Sequence, residues 1–219
     1  MIGIGGSTIE AELNAIKPKA HLVKPIQKEE FQKRIEKACH LMKAKNAQAV
    51  YLHSGANLYY FTGTHWNSSE RMVGVLLFPN GELHYIAPQF EKGTILDFMI
   101  INGTVHCWEE HESPFQLFNQ ILKDNGIVNG EILIDETTPF FISEGILNGS
   151  SIYTLGNAKP IISRCRMIKS NTEIAIIQHA MNITLEVQKA AARILYVGIS
   201  AKEVTDFIHK AHKKYGATA

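Results

Sequence analysis

Side chains able to do chemistry gather in a few short stretches of this sequence. Thr64-His65-Trp66-Asn67-Ser68-Ser69-Glu70-Arg71 combines an imidazole, an indole and a guanidinium, a set suited to stacking on and hydrogen-bonding a polar ligand or a partner surface. The plainer alternative folds Trp66 onto a sheet and leaves Glu70 and Arg71 as a solvated ion pair. His106-Cys107-Trp108-Glu109-Glu110-His111-Glu112 is the densest run of metal-ligand types. Its two histidines are five positions apart, which suits neither one helix face nor one strand face, so it reads as a strand end entering an acidic loop. The opening Met1-Ile2-Gly3-Ile4-Gly5-Gly6-Ser7-Thr8 has the glycines of a phosphate loop but no preceding strand and no following lysine; it reads as a mobile or locally docked N-terminus. Gly-x-Ser-x-Gly is absent, and none of the ten histidines lies beside a recognisable nucleophile. His179, His209 and His212 fall in helical stretches and read as surface or interface residues. These residues by themselves assign no catalytic group and no metal ligand.

The elements that must position these stretches alternate. Phe31, Ile35, Ala38 and Met42 recur at helical spacing and predict a helix over 28–45, stopped at Asn46. Strands are expected at 47–53 and, from its aromatic run, at Leu58–Thr62, with a turn at Gly55-Ala56-Asn57 between them. Arg71–Pro79 and Glu82–Pro88 read as a hairpin closed by a two-residue turn at Asn80-Gly81. A short helix near 91–99 and a strand over Thr104–Trp108 follow. Ser113-Pro114-Phe115-Gln116 opens a helix that runs to Gly126. Glu131–Asp135 reads as a strand, Thr138-Pro139 as the start of a helix reaching Gly149, and 152–155 and 160–165 as extended. Ser170-Asn-Thr-Glu173 and Ser200-Ala-Lys-Glu203 are capping boxes for helices over 171–196 and 201–215. The first of these is apolar on two sides, Ile174, Ile177, Met181 and Leu185 forming one stripe and Ile183, Val187, Ala190 and Ile194 another, so it expects neighbours on both. The expected fold is α/β, a mixed β-sheet flanked by helices over 1–165, followed by a helical piece over 166–219.

Composition narrows the function. Lys and Arg total 22 against 21 Asp and Glu in 219 residues, which leaves no basic excess to neutralise a phosphate backbone and argues against nucleic-acid binding. No window reaches 18 consecutive apolar residues, so a membrane span is not expected. Three widely separated cysteines without a Cys-x-x-Cys pair, and a start lacking the charge and apolar run of a secretory signal, point to a reducing cytoplasm.

Two stretches carry a family resemblance. Asn57-Leu-Tyr-Tyr-Phe-Thr-Gly63, the hairpin Val73–Glu82 and Pro88-Gln-Phe-Glu91 together resemble the N-terminal domain of the pita-bread metallopeptidases, the group of aminopeptidase P, prolidase and creatinase. Arg166-Met-Ile-Lys-Ser-Asn-Thr-Glu-Ile174, Ala180 and Gly198-Ile-Ser-Ala-Lys-Glu-Val204 are similar to the passage in which that family begins its catalytic domain. The resemblance implies a creatinase/prolidase-type domain over 1–165 and the first two helices of a pita-bread catalytic domain in 166–219. It further implies a parent that hydrolyses Xaa-Pro peptide bonds, in a peptide with proline at the second position. The family does so with two divalent metals (Mn, Co or Zn) held by two Asp, one His and two Glu. A metal pair lowers the pKa of a bridging water and holds the carbonyl oxygen, and an Xaa-Pro bond lacks the amide hydrogen by which other peptidases align their substrates. Those five ligands lie beyond the second helix, so none maps onto this chain. Neither Asp135, Asp206 nor the glutamates around 109–112 replace them, and the chain by itself is expected to hold no metal and to be inactive. Its implied role is oligomerisation, a dimer above all, and shaping of an active site, with His65, Trp66 and Arg71 as the substrate- or partner-facing residues. The alternatives are a fragment of a creatinase-type C–N hydrolase, or a non-catalytic binding or scaffold module of the same fold.

Overall fold

The structure is a computed structural model and describes residues 1–149 and 152–217. They form two compact units, one of Gln27–Ile168 and one of Met1–Ile26 together with the chain from Lys169.

In the first unit a single sheet of six strands carries the architecture: β1 (Ala49–His53), β2 (Gly74–Leu77), β3 (Leu83–Pro88), β4 (Thr104–Trp108), β5 (Glu131–Ile134) and β6 (Thr154–Asn157), in the order β4-β3-β2-β1-β5-β6. β1 runs parallel to β5 and antiparallel to β2, and β3 is antiparallel to β2 and parallel to β4, so the sheet is mixed. Alternation along the strands sorts side chains between two faces. Tyr51, Leu76, Ile86, Ile132 and Ile134 form one core with Phe118, Ile121, Leu122, Ile142 and Ile146 of α5 (Pro114–Asp124) and α6 (Phe140–Asn148). Val50, Leu52, Val75, Leu77 and Leu133 point the other way and are equally buried. On that side α2 (Lys28–Lys45), α3 (Ala56–Thr62) and α7 (Lys159–Arg166) pack with one another. The Arg34 guanidinium ties this layer together. It donates to the Tyr60 carbonyl at 2.9 Å, pairs with Glu30 and lies 4.1 Å from the Tyr60 ring centre, while the Tyr60 hydroxyl donates to the Cys165 carbonyl at 2.8 Å.

Three local expectations are corrected. Leu58–Thr62 is helical, within α3, and not a strand. Glycines at positive φ, Gly55 (124°) and Gly63 (73°), bracket the segment, and a turn of helix buries Asn57, Leu58, Phe61 and Thr62 together, so tertiary burial overrides the aromatic β preference. Residues 160–165 lie in helix α7, whose Pro160 occupies the first turn, where its missing N–H costs nothing. The hairpin loop holds three residues. Gly81 N–H donates to the Phe78 carbonyl and Phe78 N–H to the Glu82 carbonyl, with only Gly81 at positive φ, the pattern of a type I turn closed by a glycine bulge. α4 (Lys92–Phe98) completes the unit, and α5 opens as its cap predicts, Ser113 Oγ accepting from Gln116 N.

In the second unit α8 (Asn171–Ile194) and α9 (Ala201–Tyr215) both start with the expected capping boxes. The N-terminal residues supply a further helix, α1 (Ile9–Ala15), which the sequence reading did not include. Ile9, Leu13 and Ile16 pack on a cluster of Ile183, Val187, Ala190, Ile194, Phe207 and Ala211. Ile4 N–H donates to the Leu195 carbonyl at 2.7 Å, and Glu12 takes both Nε and Nη2 of Arg193. The glycine run therefore docks beside the end of α8, and a Cβ on Gly3 would fall 2.3 Å from the Arg193 carbonyl oxygen. Only one of the two apolar stripes of α8 is covered; Ile174, Ile177, Met181 and Leu185 remain 45–57% exposed. No helix among the described residues is long and apolar enough to cross a membrane.

Candidate functional site

Helix α3 ends at Thr62 with Gly63 as its left-handed cap, and from there residues 64–71 loop over the sheet end toward β2. Thr62 Oγ1 accepts from Thr64 N at 3.1 Å and fixes the departure. Farther on, the anchor is a histidine. His53, fully buried at the end of β1, places Nε2 2.9 Å from Ser68 Oγ and 3.2 Å from Ser54 Oγ, with Nδ1 3.3 Å from the Tyr51 hydroxyl. Burial pushes its pKa down to about 4, so the ring that holds the loop is neutral at pH 7.

The three sequence-derived residues separate into two groups. His65 and Trp66 line one cleft of about 270 Å³ with Ser68, Glu91, Thr94 and Phe98. Trp66 is half-buried and meets the Phe98 ring edge-on at 6.1 Å, and the exposed His65 meets Tyr59 edge-on at 6.0 Å. Arg71 does not line the cleft. It pairs with Glu70 and Glu110 (Nη2 to Oε1 of Glu110, 2.8 Å), and its guanidinium lies 5.3 Å from the Phe90 ring centre. Ordinary small-molecule pockets hold about 300–1,000 Å³. A smaller open cleft with an aromatic wall and one carboxylate suits a single inserted side chain or one end of a peptide. Sequence reading did not connect His53, Glu91, Phe98 or Glu110 with this loop; the signal for His53 was a polar residue closing an otherwise apolar strand.

A second polar cluster lies where the parallel strands β1 and β5 end. Asp135, 1% exposed, accepts at Oδ1 from Asn57 Nδ2 (2.8 Å), Thr137 N (2.9 Å) and Thr137 Oγ1 (3.0 Å). Arg166 donates to the other end of the Asn57 amide. Asp135 Oδ2 has no partner, and burial raises the pKa of the carboxyl. These contacts make Asn57 a fixed relay between a guanidinium and a carboxyl, which is structural work at the start of the Asn57–Gly63 motif. The run 106–112 also resolves. His106 lies in β4, while Glu109–Glu112 form a turn in which Glu112 Oε2 accepts from Glu109 N. Among the described residues no three His, Cys, Asp or Glu side chains converge to hold a metal ion.

Comparison with known proteins matches these features to a family. The model for the creatinase/prolidase N-terminal domain matches residues 34–168, the sheet unit almost entire. The crystal structure of a prolidase from Thermococcus sibiricus superposes with a TM-score of 0.72 at 28% identity, covering 84% of this chain and 49% of that one. The N-terminal domain of Xaa-Pro dipeptidase from Lactobacillus brevis, at 18% identity and a TM-score of 0.53, shares the fold over 60% of this chain and 98% of its own. An uncharacterized peptidase of Staphylococcus aureus, SAB1567, is 24% identical over 183 residues, 84% of this chain and 50% of that protein. The chain thus spans about half the length of the curated relatives it matches. With most of its length under the family model and its mixed sheet shared with solved prolidases, the chain belongs to the creatinase/prolidase N-terminal domain family.

Proposed function

We propose that this chain is the N-terminal part of a prolidase-type peptidase whose whole form hydrolyses Xaa-Pro peptide bonds in the cytoplasm as a homodimer. The reading rests most on how far the likeness extends. The isolated Lactobacillus brevis domain accounts for 60% of the chain, whereas the Thermococcus sibiricus prolidase accounts for 84%, so similarity to a whole prolidase reaches past the sheet unit. The names of the relatives, prolidase and peptidase, favour this over creatinase-type C–N hydrolysis. Three free cysteines accord with a reducing compartment.

The family's divalent pair, Mn, Co or Zn, would activate water and polarise the scissile carbonyl. The described side chains here offer no converging set of three donors and do not fit such a pair, so no catalytic step is assigned to them. Their role is recognition and assembly. Trp66 and Phe98 offer an aromatic wall, Glu91 a negative charge and His65 an exposed imidazole on the loop that His53 and Ser68 hold down. This loop faces the partner subunit or the substrate, with Arg71 bracing it through Glu110.

On this reading, a longer product that completes the prolidase is expected to cleave an Xaa-Pro dipeptide in a metal-dependent manner, and the 219-residue chain is not. Trp66→Ala in that longer product should raise KM or reduce oligomer size. Metal-dependent cleavage by the 219-residue chain alone would overturn the first statement, and unchanged KM with unchanged size the second.

A further inference from the structure

His84 and His106 form a pair that the proposed function does not use. β3 and β4 run parallel with Ile86 opposite His106 and His84 opposite Thr104, so the two histidines sit diagonally on the same face of the ladder. His84 Nδ1 and His106 Nε2 are 3.0 Å apart. The ring planes differ by 11° and their centres stand 5.1 Å apart, so with nitrogens this close the rings meet edge to edge and not face to face. The Phe78 ring backs His84 edge-on at 5.1 Å. Both rings are partly exposed, and His84 lines an open cleft with Glu82, Asn102, Thr104 and Asn125.

We propose that His84 and His106 chelate a divalent transition-metal ion of the imidazole-preferring kind, Zn²⁺, Ni²⁺ or Cu²⁺. Two ligands at the Zn–N distance of about 2.0–2.1 Å stand about 2.9 Å apart at a right angle and about 3.4 Å apart at the tetrahedral angle. The observed 3.0 Å lies within that bite, and each ring must turn so that both lone pairs leave the line between the rings and converge on the cation. Desolvation pushes the pKa of both rings down, His84 pushes that of His106 down further, and Glu82 and Asp124 place negative charge nearby that opposes it. The N–H that now bridges the rings moves through solvent to the outer nitrogen of its own ring, so binding releases no net proton. No third His, Cys, Asp or Glu among the described residues joins the pair, and water completes the coordination. Imidazole preference and the Irving–Williams order place Cu²⁺ above Ni²⁺ and Zn²⁺ in affinity. The cation would tie β4, at the end of the strand order, to β3.

Calorimetric titration of Ni²⁺ into the untagged chain tests this. One equivalent should bind, and His84→Phe or His106→Phe, which keep a ring in place, should each weaken binding about tenfold or more because a chelate becomes a single ligand. His111→Gln should leave the affinity unchanged. Equal binding by wild type and both phenylalanine variants, or an equal loss in His111→Gln, would overturn the proposal. Should the variants misfold, ring resonances of His84 and His106 in the wild-type chain must move on adding Zn²⁺; if other histidines shift and these two do not, the proposal is equally overturned.

Discussion

Asp135 gives the sharpest test of how the ends of β1 and β5 are held. Its carboxyl is 1% exposed, with three donors on Oδ1 and none on Oδ2. Replacing it by alanine removes the acceptor for Asn57 Nδ2 and for Thr137 N and Oγ1 at once. A buried donor left without a partner costs about 1–3 kcal/mol. With Asn57 also 1% exposed, and some relaxation toward water at Thr137, Asp135→Ala should lose about 2–4 kcal/mol. Asp135→Asn keeps the Oδ1 acceptor and alters only the oxygen that has no partner. It gives up a charge that burial disfavours but leaves an unpaired Nδ2 donor where the unpaired Oδ2 was, so its cost near pH 7 should be about 1–3 kcal/mol. The pH dependence separates the two effects. Burial raises the folded-state pKa above the ordinary 3.8, so the folded state binds the proton more tightly than the unfolded chain does. That contribution is fully present below 3.8 and is lost as pH rises through the folded value. In urea unfolding followed by tryptophan fluorescence between about pH 4 and pH 7, the wild type should therefore lose stability relative to Asp135→Asn as pH rises, while titrations common to both cancel. A pH-independent difference would mean that the carboxylate is ionised and well solvated by its partners, and the desolvation argument would fail.

Other expectations follow from single contacts. Gly3→Ala places a Cβ 2.3 Å from the Arg193 carbonyl oxygen and 2.6 Å from Ile194 Cα, both backbone; overpacking of this kind costs about 1–3 kcal/mol, and faster amide exchange near the end of α8 should report it. Gly63→Ala combines φ at 73° with a clash 2.8 Å from Ile100 Cδ1 and should lower the melting temperature, whereas Gly93→Ala, which meets nothing within 4 Å, should not. His53, whose pKa falls from 6.5 to about 4 through burial, binds a proton less readily folded than unfolded, so its contribution to stability declines as pH falls from about 6.5 toward 4. Ring resonances should show it neutral down to about pH 4, and a titration near its ordinary value would contradict the anchor.

The sheet was largely legible because its signals are local. Apolar runs at 49–53 and 131–134 each specify their strand within a few residues, Asn80-Gly81 marks the hairpin although its loop holds three residues, and both capping boxes appear where Ser170 and Ser200 place them. What misled was context. Leu58–Thr62 has strand composition, yet the two flanking glycines and the burial of Asn57 against Asp135 make a turn of helix the way to satisfy that polar side chain. His65 and Trp66 were visible as unusual residues in a loop, but their cleft needs Glu91 and Phe98, dozens of positions away, and no spacing rule connects them. The N-terminal glycines were the least readable. The sequence left a mobile or a locally docked end open; the structure shows the docked one, and the glycines serve by the absence of a side chain beside Arg193 and Ile194, a demand set by a helix nearly two hundred residues later. The same logic bears on the uncovered stripe of α8. Ile183, Val187 and Ile194 are covered by α9 and α1, yet Ile174, Ile177, Met181 and Leu185 stay exposed. Both stripes are apolar and recur at helical spacing in the sequence. What separates them is which surface exists to meet each, and that information is carried by other parts of the fold.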